Sequence, residues 1–185
     1  MGKGLDWCRI VMNQETRHLI SNLDVANMDA LEISGRSWKK IPWKSYIAKH
    51  YPEFDVCIES KEESLYDIIL AEQVFEHIQF PYKGIRTVWK LLKPGGYFLS
   101  TTPLLLKVHG SPNDADFWRW TPRGKQLFFE DASFEVITVG SWGNKECVKA
   151  YLNFETLPPY DPAICPLHNE PDSPIMVWIL GRKNV

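Results

Sequence analysis

No apolar run in this 185-residue chain is long enough to cross a bilayer, and Met1-Gly2-Lys3-Gly4-Leu5-Asp6 lacks the apolar core of a signal peptide. The expected location is therefore the cytoplasm. Neither sign of charge is in excess: 21 Lys and Arg stand against 23 Asp and Glu, for a net charge of -2. The lysines are scattered and form no basic stripe that could track phosphates, so no nucleic-acid partner is expected. Cysteine is scarce. Cys8, Cys57, Cys147 and Cys165 lie far apart with no Cys-x-x-Cys pair, which argues against a disulfide framework and a zinc ribbon and for reduced thiols. Cys165-Pro166-Leu167-His168 has metal-like local spacing, but no second ligand pair accompanies it, and no metal is expected. Repeats, low-complexity tracts and Ser/Gly linkers are also missing. With 44% hydrophobic residues the chain can fill one core and is too short for two ordinary domains, so residues 1–185 are expected to form a single domain.

What is present is an alternation of short apolar runs and amphipathic stretches. Asp6 to Asn22 reads as a helix with Ile10, Val11, Leu19 and Ile20 available to pack. Met28 to Ser34, Tyr46 to Lys49 and Asp55 to Ile58 read as three successive strands. Ile68-Ile69-Leu70 is uninterrupted by charge, as suits a strand buried on both faces, and a polar, acidic stretch holding Glu72, Gln73 and Glu76 opens just after it. Ile85, Val88, Trp89 and Leu92 follow helical spacing, until Lys93-Pro94-Gly95-Gly96 stops the helix and turns the chain into a strand from Tyr97 to Thr101. Thr121-Pro122 is an N-cap followed by an N1 proline, predicting a helix from Pro122 to about Ala132. Strands follow at Phe134 to Val139 and Ile175 to Leu180. Strands alternating with helices imply an α/β fold with a mostly parallel sheet. Of the eight tryptophans, some belong to the core and some are expected to line a cleft.

Two consecutive segments, Tyr66-Asp67-Ile68-Ile69-Leu70-Ala71-Glu72-Gln73-Val74-Phe75-Glu76-His77 and Leu91-Leu92-Lys93-Pro94-Gly95-Gly96-Tyr97-Phe98-Leu99-Ser100-Thr101-Thr102-Pro103, resemble motifs of class I S-adenosylmethionine-dependent methyltransferases. The resemblance implies a Rossmann-like sheet flanked by helices with its last strand antiparallel, and S-adenosylmethionine as cofactor. By position it implies that Glu32, Ser34 and Gly35, in Leu31-Glu32-Ile33-Ser34-Gly35-Arg36, lie at the cofactor's amino-acid end, and that Glu72 and Gln73 border the pocket. Only one of the family's usual glycines is present in that first turn. A cofactor without phosphates needs no pyrophosphate cradle, so the shortage speaks against nicotinamide cofactors more than against S-adenosylmethionine. Where the family places an acidic residue for the ribose hydroxyls, this chain has His50; a neutral imidazole offers one acceptor, and Glu53 or Asp55 is available to take over. The bland alternative for His50 is a surface histidine at a strand end.

From His109 to Gly124 the chain holds Asp116-Phe117-Trp118-Arg119-Trp120-Thr121-Pro122, which is similar to a segment of methyltransferases associated with surface-polysaccharide and glycoconjugate synthesis. Asp116, Trp118 and Arg119 are the expected acceptor-binding residues, because aromatic faces with carboxylates suit a sugar ring. The competing expectation is that Trp118 and Trp120 seal the core while Arg119 pairs with Asp116. For a hydroxyl acceptor, His109 is the candidate general base and His77 its rival. The implied function is methyl transfer to a small-molecule or sugar hydroxyl. The alternative is a degenerate methyltransferase fold, catalytically inactive, that serves as a binding or regulatory subunit.

Overall fold

The computed structural model of the chain describes residues 7–110, 115–153 and 160–184. Among these residues four helices, α1 (Ile10–Ser21), α2 (Pro81–Leu91), α3 (Pro122–Asp131) and α4 (Lys145–Asn153), flank a six-stranded sheet. Its strands are β1 (Asp29–Ile33), β2 (Ser45–Lys49), β3 (Tyr66–Glu72), β4 (Leu92–Pro103), β5 (Phe134–Trp142) and β6 (Met176–Lys183). They run in the order β2-β1-β3-β4-β6-β5. The first four are mutually parallel, and β6 is antiparallel to both of its neighbours.

Period-two alternation places the core on both faces of this sheet. Ala30, Ile68, Leu70, Leu99 and Leu180 point to one side, where they meet Ile20 of α1 and the buried Trp38. Leu31, Ile33, Ile69, Ala71, Phe98 and Ile179 point to the other, against Ile85, Val88 and Leu91 of α2 and Phe128 and Phe129 of α3. This is why Ile68-Ile69-Leu70 of β3 reads as a continuous apolar run: helices and the Trp38 turn leave neither face wet. At the amino ends of the strands the Lys93 ammonium bridges Asp29 at 2.8 Å and Asp67 at 2.7 Å, while Asp67 accepts from the Asp29 amide.

Several boundaries differ from the sequence expectation for local reasons. Residues 55–58 form a turn rather than a strand, because the Asp55 carboxylate accepts from the Cys57 amide at 2.8 Å and caps the chain on itself. The N-terminal helix begins as a single 3-10 turn, Trp7–Arg9, whose Trp7 and Cys8 are buried beside Trp142, Cys147 and Cys165. Helix α4 was not expected from the sequence; the Asn144 side chain caps it by accepting from the Cys147 amide at 2.8 Å. The Thr121 cap of α3 forms as expected, accepting from the Gly124 amide. Among the described residues no helix is long and apolar enough to cross a membrane.

Candidate functional site

The sheet order reverses between β1 and β3, and in open α/β sheets a crevice opens beyond the carboxyl ends of the strands at such a point. Here that crevice is a cavity of about 1010 Å³. Ile33 and Ser34 leave β1 into its wall, His50, Tyr51, Phe54 and Asp55 follow β2, and Gln73, Val74 and His77 follow β3. Phe80, Ala115 and Phe117 close the far side. Ser34 and Gln73 both have a φ of 56°, in the left-handed region that non-glycine residues seldom adopt. Such conformations persist where the surroundings over-determine them, and they gather at ligand sites. Ser34 is held by its amide donating to Lys49 O at 2.8 Å, and Gln73 by amide bonds to Thr101.

Glu32 is fully buried but does not face the cavity. Its carboxylate accepts from the Ser37 amide at 2.8 Å, the Trp38 amide at 3.0 Å and the Tyr46 hydroxyl at 2.6 Å. Burial and this hydrogen bond raise the Tyr46 phenol above its ordinary value. A β-carbon at Gly35 would fall inside the contact distance of Glu32 Oε1, so the glycine makes room for the carboxylate that ties down the turn. Arg17 of α1 supports the same turn, donating to Ser37 O at 2.6 Å and lying 3.9 Å over the Trp38 ring. Glu72, half-buried and shifted upward by burial, lies 3.9 Å from Arg9 and outside the cavity wall.

The expected cofactor residues thus divide. Ser34, His50, Asp55 and Gln73 line the cavity, whereas Glu32, Gly35 and Glu72 stand behind it. His50 bears on whether a ribose-bearing cofactor fits, because its Nε2 is buried without a hydrogen-bond partner. A buried imidazole nitrogen lacking a partner in a cavity wall is a polar group awaiting one. The large cavity takes its aromatic lining from Tyr51, Phe54, Phe80 and Phe117, and no tryptophan lines it among the described residues; Trp142 and Trp178 line a second, smaller one.

The chain after β4 returns over this cavity because the Phe117 and Trp118 amides both donate to the Glu76 carbonyl, at 2.8 and 3.2 Å. That tether brings His109 beside His77, ring centroids 5.1 Å apart and edge to face. His77 Nδ1 lies 3.1 Å from Ala115 O, and His109 Nδ1 lies 3.1 Å from both Lys107 O and Asp116 Oδ2. Asp116 is paired with Arg119, whose guanidinium holds the carboxyl down to about 2. Trp120 stacks on Phe128 of the core, and Trp118, 38% exposed, stacks in turn on Trp120. The Arg119–Asp116 pair is therefore a brace within the segment, and Trp118 is the member of the trio with an open face.

Sequence reasoning passed over Glu76 as a site residue. Its carboxyl group is wholly buried, neither oxygen has a hydrogen-bond partner, and burial raises its pKa. Lys125, also buried, is shifted downward by burial and donates to Thr102 Oγ1 at 2.8 Å. The sequence placed Glu76 in the polar, acidic stretch just past a buried strand, in Val74-Phe75-Glu76, but attached no role to it.

A family model described as a methyltransferase domain matches residues 2–137. No curated protein is close enough in sequence to match. Among solved structures, a SAM-dependent methyltransferase from Archaeoglobus fulgidus is 12% identical, covers 95% of this chain and 94% of its own, and gives a TM-score of 0.62. The 1,6-didemethyltoxoflavin-N1-methyltransferase of Burkholderia thailandensis, solved with 1,6-didemethyltoxoflavin and S-adenosylhomocysteine, is 11% identical over 96% of this chain and 80% of its own, with a TM-score of 0.63. The 4+2 cyclase SpnF is 13% identical, covers 94% of this chain and 82% of its own, and gives 0.58. Identities this low establish a shared fold, and the cyclase shows that the fold also hosts other chemistry.

Proposed function

The chain belongs to the methyltransferase domain family, and from that premise we propose that it is an S-adenosylmethionine-dependent methyltransferase acting on a hydroxyl of a small molecule or glycoconjugate. The observation that carries this reading is the convergence of strained Ser34 and Gln73, the partnerless His50 Nε2 and His77, the member of the Glu76–His77–His109 cluster that lines the wall, on one cavity at the sheet's switch point.

When bound, the cofactor supplies an electrophilic methyl on a sulfonium. Ser34 and Gln73 present the ends of β1 and β3 to it, with Glu32 and Gly35 fixing the turn behind Ser34. His50 and Asp55 offer polar atoms to the ribose, and Phe54, Phe80 and Val56 offer an apolar wall to the adenine. His77, His109 and Glu76 are the groups that favour loss of the acceptor's proton, and Trp118 offers its open face to a ring of the acceptor. Holding acceptor and methyl in line is itself worth roughly 7 to 11 kcal/mol of barrier.

Calorimetric titration with S-adenosylhomocysteine tests the premise. Binding is expected, with a stabilisation of about 2.7 kcal/mol at a hundredfold excess over Kd. For a chain of this size that is a rise in Tm of roughly 5 to 10 °C. Screening nucleotide sugars and small alcohols with labelled S-adenosylmethionine then identifies the acceptor. No heat and no melting shift at millimolar ligand refutes the proposal, and binding without transfer to any acceptor leaves a binding subunit on the same fold.

A further inference from the structure

We propose that Glu76, His77 and His109 form a binding site for one divalent transition-metal ion at the edge of the cavity, which His77 lines. One donor atom from each of the three lies within 4.8 Å of the others. Metal bonds of about 2.1 Å to imidazole and carboxylate put the donors of a tetrahedral ion roughly 3.4 Å apart, so a closure of up to about 1.4 Å at the widest pair completes the set. His109 is exposed, on the segment between β4 and α3, and is the ligand with room to shift; Glu76 is fully buried.

Three independent features point the donors at an ion. The first is the Glu76 carboxylate, 0% exposed and with neither oxygen hydrogen-bonded by another of the described residues. A buried carboxylate without donors is costly unless a cation accompanies it. Lys125, the buried ammonium of the neighbourhood, is turned to Thr102 Oγ1 and lies 5.4 Å over the Trp120 ring. The second feature is the imidazole tautomers. Both Nδ1 atoms sit 3.1 Å from backbone carbonyl oxygens, of Ala115 for His77 and Lys107 for His109, so each Nδ1 carries the proton and each Nε2 the lone pair. His77 Nε2 is already 4.0 Å from Glu76 Oε1. The third feature is the outer layer. Asp116 Oδ2 lies 3.1 Å from His109 Nδ1, the carboxylate–histidine arrangement that orients a ligating ring and raises its basicity.

Two imidazoles with one carboxylate form a borderline donor set that suits zinc, cobalt or iron(II) better than magnesium or calcium. Three protein ligands leave at least one coordination position open, on the side where His77 lines the cavity. On the methyltransferase reading, on which this last step alone rests, an acceptor hydroxyl bound there is more acidic and releases its proton to water before it takes the methyl group.

The test uses the full chain, stripped with chelator and titrated with cobalt(II) chloride while the visible d–d absorption is followed. One equivalent is expected to bind, with zinc displacing it. His77→Ala, His109→Ala and Glu76→Gln should each weaken cobalt binding by about tenfold or more. A second surface cluster, Glu146, His168 and Glu170, is the internal control: His168→Ala should leave the absorption unchanged. Circular dichroism establishes that each variant folds, and S-adenosylhomocysteine binding, measured separately, tests the cofactor reading without the metal. Cobalt absorption that survives both histidine variants, or vanishes only in His168→Ala, overturns the site, as does the absence of any saturable binding. Cobalt binding that persists where S-adenosylhomocysteine fails to bind would retire the methyltransferase reading and leave the metal site standing.

Discussion

Glu32→Gln is the substitution that separates a residue holding the turn after β1 from one that would touch a cofactor bound in the cavity. The side chain keeps its size, but an acceptor oxygen becomes an NH2 donor. On Oε1 that donor would face the Ser37 N–H; on Oε2 it would face the Trp38 N–H and the Tyr46 hydroxyl. In either orientation one hydrogen bond to a charged group is lost and two donors oppose each other without water, since the residue is fully buried. Hydrogen bonds to charged groups contribute about 1.5 to 3 kcal/mol, and an unsatisfied buried donor costs about 1 to 3. The two effects overlap, giving a loss of about 2 to 4 kcal/mol, or roughly 4 to 16 °C in Tm for a chain of this length. Tyr46→Phe removes one partner only and should cost about 1 to 2 kcal/mol. Since both act through the same carboxylate, the double variant should fall short of the sum in a urea-denaturation cycle. Affinity for S-adenosylhomocysteine, measured per folded molecule, should fall with the loss of turn geometry in Glu32→Gln and stay near wild type in Tyr46→Phe. Stability within about 0.5 kcal/mol of wild type in Glu32→Gln refutes the reasoning, because no surface substitution would do less.

His50→Asp should tighten S-adenosylhomocysteine binding by about tenfold, since a carboxylate can accept from both ribose hydroxyls where the imidazole has one nitrogen to offer; weaker binding by calorimetry would place the ribose elsewhere. Burial, with the Cys165 thiol beside it, pushes the Cys147 thiol up to about 12, so at pH 8 only roughly one molecule in ten thousand carries the thiolate there. Iodoacetamide should label Cys147 in urea and spare it in buffer, and labelling at the rate of free cysteine in buffer would contradict the packing. Asp29 is held below the ordinary carboxylate range by Lys93, with Ser45 and Lys44 assisting. A depressed carboxyl stabilises the fold above its unfolded pKa and loses that contribution as pH falls through the folded one. Lys93→Met should therefore flatten the acid limb of stability below about pH 4, and an unchanged limb would assign acid unfolding to other carboxylates.

The parts of the fold legible in sequence were those fixed by local patterning. Ile68-Ile69-Leu70 announced a strand buried on both faces, and Thr121-Pro122 announced the start of α3, because each signal is satisfied by its own neighbours. Residues 55–58 misled, since Val56-Cys57-Ile58 is a short apolar run that fits a strand until the Asp55 side chain captures the Cys57 amide, a choice that composition does not reveal. The cavity lining was legible along β1 and β3, where position in the chain fixes position at the switch point, so Ser34 and Gln73 stand in its wall. Glu32 and Glu72 share those strands, yet side-chain direction carried them behind it.

The Glu76–His77–His109 cluster was illegible for a different reason. Glu76 and His77 follow β3, and His109 stands 32 residues later, on the chain that returns after β4. No spacing rule joins them, because they meet only through the backbone bonds from Phe117 and Trp118 to the Glu76 carbonyl. That tether uses main-chain atoms alone, so no residue identity advertises it in the sequence. The same bonds that carry the returning segment over the cavity also set the distance between the histidines and the buried carboxylate. The Arg119–Asp116 brace then acts at one remove from any ligand: it fixes the carboxylate that faces His109 Nδ1, and so fixes the ring. The cover over the cavity and the arrangement of the polar cluster are consequently one structural problem here, solved by the conformation of a single segment.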